Sequence, residues 1–569
     1  SGCAAVLTTL HPPLSPLVWT TMMTGVSPRV HGILDFTRFN PRTGAREPIT
    51  SAERTVPAVW NIAGDAGRSV AVFGLWATHP AEPVRGLLVS DRLFSFQRAE
   101  APPPGTVYPP GRESWVRAAR DRAEAAIGYD VLREYLPWLD RTAYDRALAE
   151  PDPYTQPVSA LRRILVETKV YDDLATEWIG ANAPDLAIVY FQGTDSIGHV
   201  FAPYRAPRQP HVAPEDVDRF GDVPRRYFSA IDAMLGRYSE LARRLGAVLV
   251  VASDHGFRWK EGRPARLSSF AAPTAGKWHR DEGLFVVWGP GVRPAVGPRP
   301  HARVDQIAPA LLALLGLPRG TAMPSVPFPG IEPGTRTPLD YGTRPPPAGA
   351  PDPGGVADRE ALLKLRALGY VGGREAPATA AGSTRTAGSF NNEGLLLEAE
   401  GHAEAAIAAY DRASALDPGY PSPLLNLSEL LFRENRELDR ADALLVRALA
   451  MDVPDGTKHV VGRAIQYRRR GDAGRSLALL DAALGVRTLD PDLWLFRGRA
   501  HLERQECAEA RRDFDRACRL DDGNAIAHAS LGLAMTCEGD RRGALREFRR
   551  SLAIDPDQPE IRAYVKSPD

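Results

Sequence analysis

The chain has 569 residues, with 70 Lys+Arg, 70 Asp+Glu and no formal net charge. Its 44% hydrophobic and 25% charged residues are ordinary globular composition, which excludes a disordered chain, a coiled-coil rod and a collagen-like fibre. Neutrality argues against nucleic-acid binding through a general basic field, and no apolar run is long enough for a transmembrane helix. The neutral total divides unevenly: residues 1–385 carry +5 and residues 386–569 carry −5. Four cysteines in this length make no disulfide framework, and no Cys-x-x-Cys pair suggests a thiolate zinc site. The sequence opens at Ser1 with no signal peptide, so upstream sequence is expected and the compartment is not legible.

In chain order, residues 1–323 alternate short apolar runs with helical patterns. Residues 70–73, 186–190, 247–251 and 284–288 read as buried strands. Residues 56–66, 160–179, 225–245 and 305–315 read as helices. The alternation predicts an α/β domain with a mostly parallel sheet flanked by helices. Residues 101–156 read as a helical, Pro-bounded cap or insertion. Residues 324–389 read as a Pro/Gly-rich linker, interrupted by one amphipathic helix over 358–368 that ends in Gly369-Tyr370.

Residues 390–569 read as helix throughout, and they repeat. Ala406-x3-Tyr410-x2-Ala413 aligns with Ala441-x3-Leu445-x2-Ala448, Ser476-x3-Leu480-x2-Ala483, Ala510-x3-Phe514-x2-Ala517 and Ala544-x3-Phe548-x2-Ser551. The steps are 35, 35, 34 and 34 residues. Gly394, Gly498 and Gly532 stand twelve residues before their anchors. Small residues let paired helices approach, and Asp417-Pro418 and Asp555-Pro556 stop the second helix of a unit. This period resembles tetratricopeptide repeats, about five of them, and implies an all-α solenoid with a groove for a protein or peptide partner. Residues 559–565 are expected to cap the stack. Arg468-Arg469-Arg470 reads as a solvated face.

Chemistry concentrates in four separated places of the first domain. Gln192-Gly193-Thr194-Asp195-Ser196-Ile197-Gly198-His199 follows a strand, so Asp195 and His199 fall at the edge where open α/β sheets bind ligands. Ser253-Asp254-His255-Gly256-Phe257 follows the next strand. Trp278-His279-Arg280-Asp281-Glu282-Gly283 precedes another. Pro12-Pro13-Leu14-Ser15-Pro16 opens a helix that runs through Thr20, Thr21 and Thr24-Gly25, before Pro28-x2-His31-Gly32-Ile33. Any one of these is commonplace: a surface pair, a turn, a loop histidine, an N-cap. Their conjunction, each beside a strand or at a helix start, is what carries information.

With these motifs the first 320 residues resemble the alkaline phosphatase superfamily, in its type I phosphodiesterase and nucleotide pyrophosphatase branch. Trp76-x2-His79-Pro80 with Gly86-x2-Val89-Ser90-Asp91 is similar to a pattern of bacterial members, and Asp305-Gln306-Ile307-Ala308-Pro309 to the family's late helix. The resemblance implies two divalent ions, zinc or manganese, at the end of the sheet. Asp195, His199 and His279 would hold one; Asp254 and His255 would hold the other, together with Ser15. It implies Ser15 as nucleophile, with a phosphoserine intermediate that metal-activated water then opens. The family's further aspartate ligand comes from a strand before the nucleophile, yet none of the fourteen residues before Ser15 is acidic. That ligand is expected upstream of Ser1. Where some relatives place a phosphate-contacting asparagine, counting reaches Phe36, with Asp35 before it and Asn40 four residues on.

The expected activity is therefore metal-dependent phosphoester hydrolysis, with a phosphodiester or nucleotide pyrophosphate as the leading substrate class. Two alternatives stand beside it. One is an interaction protein with an inactive head. The other is a sulfatase or phosphotransferase on the same scaffold, although Ser15-Pro16-Leu17-Val18-Trp19 does not fit the sulfatase Ser-x-Pro-x-Arg signature.

Overall fold

The computed structural model describes residues 2–40, 43–93, 102–150, 152–264, 275–295, 297–344, 356–371 and 384–566. Pro345-Pro346-Pro347 and most of the small-residue stretch after Gly372 lie outside the described residues. Two compact units result, residues 1–402 and residues 403–569.

The first unit holds two four-stranded sheets. Its strands are β1 (Gly2–Thr8), β2 (Val70–Phe73), β3 (Gly86–Val89), β4 (Val107–Tyr108), β5 (Leu186–Val189), β6 (Leu249–Ala252), β7 (Glu282–Trp288) and β8 (His301–Arg303). One sheet has the order β4-β3-β2-β5, the other β8-β1-β7-β6. Strand β2 runs parallel to both β3 and β5, as the alternating pattern predicts. The second sheet is mixed: β7 runs antiparallel to β1 and to β6, while β1 and β8 are parallel. Strand β1 has no counterpart in the sequence reading. Its side chains alternate, with Cys3, Ala5 and Leu7 buried.

Layering follows from strand β2, whose four residues are all buried. Ala71 and Phe73 join one hydrophobic core and Val70 and Val72 another. Successive side chains of a strand face opposite ways, so a strand apolar at every position needs cover on both faces. The long helix α3 covers one face, and helices α1, α2 and α6 cover the other. Their limits are α1 (Ser15–Thr24), α2 (Val59–Asp65), α3 (Pro157–Asn182), α4 (Gly193–Phe201), α5 (Val223–Leu245) and α6 (Ile307–Leu314). The segment read as a cap forms helices Glu113–Ala126, Tyr129–Tyr135 and Arg141–Leu148. Val116, Ala119, Leu132 and Leu136 tie it into the α3 core.

The segment read as a linker is not free of the core. Phe328 and Ile331 are buried beside Phe285 and Val287, with the Phe285 and Phe328 rings 4.3 Å apart. Helix α7 (Val356–Ala367) buries Leu365, and the turn after it buries Leu368 and Val371. Pro-rich composition removes regular backbone pairing but not the drive to bury large apolar side chains. Helix α8 (Ala387–Ala399), the first helix of the repeat pattern, is also part of the first compact unit. The Thr386 hydroxyl donates to buried Asp35, and Asn392 Nδ2 donates to Leu34 O at 2.8 Å.

The second unit runs through ten described helices from α9 (Ala403–Leu416) to α18 (Pro559–Lys566). The last is the expected cap; Tyr564 stacks on Phe548 with centroids 5.1 Å apart. The repeat anchors Ala406, Ala441, Ser476, Ala510 and Ala544 are all buried. Cys507 and Cys537 form a single disulfide between neighbouring helices, while Cys3 and Cys518 are free. Among the described residues, no helix is long and apolar enough to cross a membrane.

The repeat glycines mark where helices meet. A Cβ on Gly532 would fall 2.5 Å from the Phe548 ring, and one on Gly498 would fall 2.7 Å from Phe514. Ala in place of a helix-interior Gly ordinarily stabilises by about 1 kcal/mol. Here overpacking against a rigid ring costs about 1–3 kcal/mol. Gly532→Ala is therefore expected to destabilise the chain, read as a lower denaturant midpoint; a higher midpoint would show that the ring yields.

Candidate active site

Strand β5 ends at Val189, and helix α4 starts four residues later at Gly193. Asp195 lies in the first turn of α4, where the positive end of the helix dipole favours a carboxylate. His199 is four residues on, hence on the same face, with Nε2 3.2 Å from Asp195 Oδ1. Gly198 lets α4 approach the turn after β6: a Cβ there would lie 2.6 Å from the Phe257 ring. Asp254 and His255 occupy that turn. A two-residue ladder pairs His279 with Phe257 and so carries the third motif to the same place.

The motifs converge. His279 Nε2 lies 3.4 Å from Asp195 Oδ1 and 3.1 Å from His199 Nε2. His255 Nε2 lies 3.9 Å from Asp195 Oδ1 and 3.5 Å from Asp254 Oδ2. The His255 and His279 rings stack with centroids 3.6 Å apart. Asp195, His255 and His279 thus offer ligand atoms within 4.8 Å of one another. This trio crosses the two ligand sets that the resemblance implies, because the sets sit side by side and share the stacked imidazoles.

Tautomers are set by backbone partners. His279 Nδ1 faces Pro13 O at 2.9 Å and His255 Nδ1 faces Gly256 O at 3.1 Å. A carbonyl only accepts, so each Nδ1 donates to it and each Nε2 faces the cluster. Metal-ligating histidines are commonly held this way. Among the described residues, Asp195 Oδ1, Asp254 Oδ2 and His255 Nε2 are buried without a hydrogen-bond partner, and such atoms ask for a ligand. The donor set of imidazole and carboxylate fits zinc or manganese. Burial pushes the Asp195 carboxyl up, but the charges and hydrogen bonds of His199 and His279 hold it well below the usual carboxylate range. Burial depresses the pKa of His255, against the pull of Asp254.

Ser15 is the first residue of α1 and 2% exposed. Its hydroxyl makes no hydrogen bond among the described residues. Pro13, two residues earlier, is the carbonyl that holds His279. Thr21 and Thr24 are helix residues: Thr24 Oγ1 donates to Thr20 O, and Thr21 Oγ1 bonds His31 Nε2 at 3.0 Å. Phe36 is a core residue, its ring 5.4 Å from Trp76. Asn40 Nδ2 donates to Glu47 at 2.7 Å. Trp76 Nε1 donates to Tyr190 Oη at 3.0 Å.

One side chain that the motifs do not contain borders the cluster. Tyr370, just past α7, places its hydroxyl 2.6 Å from Asp195 Oδ2 and 2.8 Å from His199 Nε2. Lys364 donates to Glu167 and Gln192 at 2.7 and 2.8 Å. Lys364 and Gln192 also line a cavity of about 540 Å³, with Trp76, Arg92, Tyr154 and Tyr190. The helix-then-Gly-Tyr pattern is visible in sequence, but nothing local to it signals a site.

Residues 1–308 match the family described as type I phosphodiesterase / nucleotide pyrophosphatase. No curated protein matches the chain. Solved structures similar to part of it are helical repeats. YrrB, a TPR protein with an unusual peptide-binding site, is 20% identical, with 32% of this chain and 91% of that chain covered and a TM-score of 0.24. MamA is 19% identical, covering 31% and 94%, at a TM-score of 0.24. The second TPR domain of human RPAP3, in complex with an HSP70 peptide, is 23% identical, covering 18% and 87%, at 0.18.

His31 yields a test of the buried framework around α1. Ile33 N–H donates to its Nδ1, so the buried ring is neutral, and burial lowers its pKa to about 3. The unfolded chain takes up the proton near the ordinary value of about 6.5. Stability from this group is thus complete above that value and is lost as pH falls toward the folded pKa. The loss is about 2 kcal/mol between pH 7 and pH 5. Denaturant unfolding of wild type and His31→Gln at both pH values checks it: the variant is expected to lose about 2 kcal/mol less.

Proposed function

Because the chain belongs to the type I phosphodiesterase / nucleotide pyrophosphatase family, we propose that residues 1–323 hydrolyse a phosphoester, a diester or nucleotide pyrophosphate, through Ser15. The observation that carries this reading is the convergence of Asp195, His199, Asp254, His255 and His279 on one buried point. Asp195, His199 and His279 would hold one divalent ion; Asp254 and His255, with Ser15, would hold the other. Such ions polarise a phosphoryl oxygen and make a serine hydroxyl a competent nucleophile at neutral pH.

The chain's own groups divide the remaining work. Ser15 Oγ attacks phosphorus, the P–O bond to the alcohol or nucleotide breaks, and that oxygen leaves. Water then opens the phosphoserine and returns Ser15. The backbone carbonyls of Pro13 and Gly256 keep His279 and His255 in the tautomer that presents Nε2. Asp195 and the three histidines expose a tenth of their side chains or less, so the charge of Asp195 acts in a medium that screens it little. The mild excess of positive charge over residues 1–385 suits an anionic substrate. The helical repeats serve a protein or peptide partner.

The full chain, loaded with zinc or manganese, is expected to cleave bis-p-nitrophenyl phosphate faster than the monoester or the sulfate. Ser15→Ala is expected to lower turnover at least about 1,000-fold, and a chelator to abolish it. Turnover that survives both would remove the reading.

A further inference from the structure

Among the described residues, the Tyr370 hydroxyl is a polar group of the cluster that the proposed chemistry leaves without a task. It arrives from a segment beyond the residues that match the family, 1–308. That segment is firmly seated. Leu365 and Val371 are each 2% exposed. Lys364 is bonded to Glu167 and Gln192, and Asp358 pairs with Arg92 at 3.6 Å. Gly369, at φ 78°, turns the chain out of α7 and aims the next residue inward. The Tyr370 ring then packs against Phe36, with centroids 4.4 Å apart, and edge-on to His199 at 5.1 Å.

Asp195 Oδ1, His199 Nε2 and His279 Nε2 form a triangle with sides of 3.2, 3.4 and 3.1 Å. Ligands about 2.0–2.1 Å from a tetrahedral zinc stand about 3.3 Å from one another. The triangle therefore has the dimensions of one face of a zinc tetrahedron. The Tyr370 oxygen is 2.8 Å from His199 Nε2, 3.3 Å from His279 Nε2 and 2.6 Å from the other Asp195 oxygen. It touches all three ligand residues: the 3.3 Å to His279 Nε2 is the spacing a fourth ligand would keep, and the two shorter contacts are hydrogen bonds that bring the oxygen to that corner.

Resting on the proposed reading of this cluster as a metal centre, we propose that Tyr370 is a resident member of it: the fourth donor to the ion held by Asp195, His199 and His279. The site is then assembled from three segments, the last of them beyond the residues that match the family. A phosphoester oxygen must enter as a fifth ligand or exchange with the phenol. Helix α7 is part of the metal site rather than part of a tether.

Zinc titration of the full chain against a competing chelator tests this, together with hydrogen exchange of the peptide over residues 356–371. Tyr370→Phe keeps the ring and removes only the oxygen. Its zinc affinity is expected to fall about 10–100-fold, and circular dichroism without metal reports whether it still folds. In the wild-type chain, zinc is expected to slow exchange across residues 356–371, a readout that needs no variant. Equal affinity in a folded Tyr370→Phe chain would overturn the inference. So would faster or unchanged exchange on loading; faster exchange would mean that the ion expels the phenol. If the wild-type chain binds no zinc, the metal reading itself falls, and this inference falls with it.

Discussion

A buried carboxylate organises the first unit. Asp195 is removed from water, and an isolated charge there is costly unless it is paired. Its compensation comes from histidines that the chain delivers separately. His199 follows on the same helix; His255 and His279 arrive from two later segments. Each delivery depends on another part of the fold. Gly198 admits the Phe257 ring, the short ladder fixes His279 opposite it, and Pro13 O fixes the His279 ring. The sheet ends and the start of α1 can hold these positions because both faces of β2 are packed. The hydrophobic layers thus act as the frame, and the polar cluster as the constraint that gives the frame one register.

Much of this was legible from local sequence, and for a physical reason. Ligand motifs sit in the few residues after a strand or at a helix start, so position along the chain already implies position at a sheet edge. The repeat was legible because helix contacts recur at a fixed spacing, and Gly498 and Gly532 stand where rings press closest. Strand direction was legible for the first sheet, where helices alternate with strands, and not for the second. An apolar run reads the same whether its neighbour is parallel or antiparallel, and β7 proved antiparallel to both neighbours. Strand β1 was hidden because two of its three buried side chains are Cys3 and Ala5, too small to raise an apolar signal. Tyr370 was hidden for the opposite reason. Its contacts with Asp195 and His199 span 175 and 171 residues, and a lone tyrosine carries no spacing.

The boundary between head and repeats shows how one polar group overrides a pattern. By period, helix α8 opens the repeats, since Gly394 stands at the repeat-glycine position. By compactness it belongs with the head. Asp35 decides the matter. Burial raises its pKa, and its carboxyl needs donors that the head supplies only in part, through Phe36 N and the Thr37 hydroxyl. Thr386 supplies another and at the same time caps α8 by accepting from Ser389 N at 3.0 Å. One hydroxyl thereby serves both the head's buried acid and the helix start. Repeat periodicity records which side chains a helix needs for packing; it does not record where its cap is anchored.

The same reasoning changes the status of residues 324–371. Composition marks them as a connection, yet among the described residues Phe328 and Ile331 at one end and Leu365 and Val371 at the other are buried in the head. A tether that only joined two units would gain nothing from such burial, because ordering a segment costs roughly 1–2 kcal/mol per residue in backbone entropy. Removing large apolar side chains from water is what offsets that cost. The seat so created is where Tyr370 meets Asp195. The segment is held by hydrophobic contact, but what it presents is polar and faces the cluster. Packing of this kind makes a stretch of chain beyond the matched residues a wall of the Asp195 cluster.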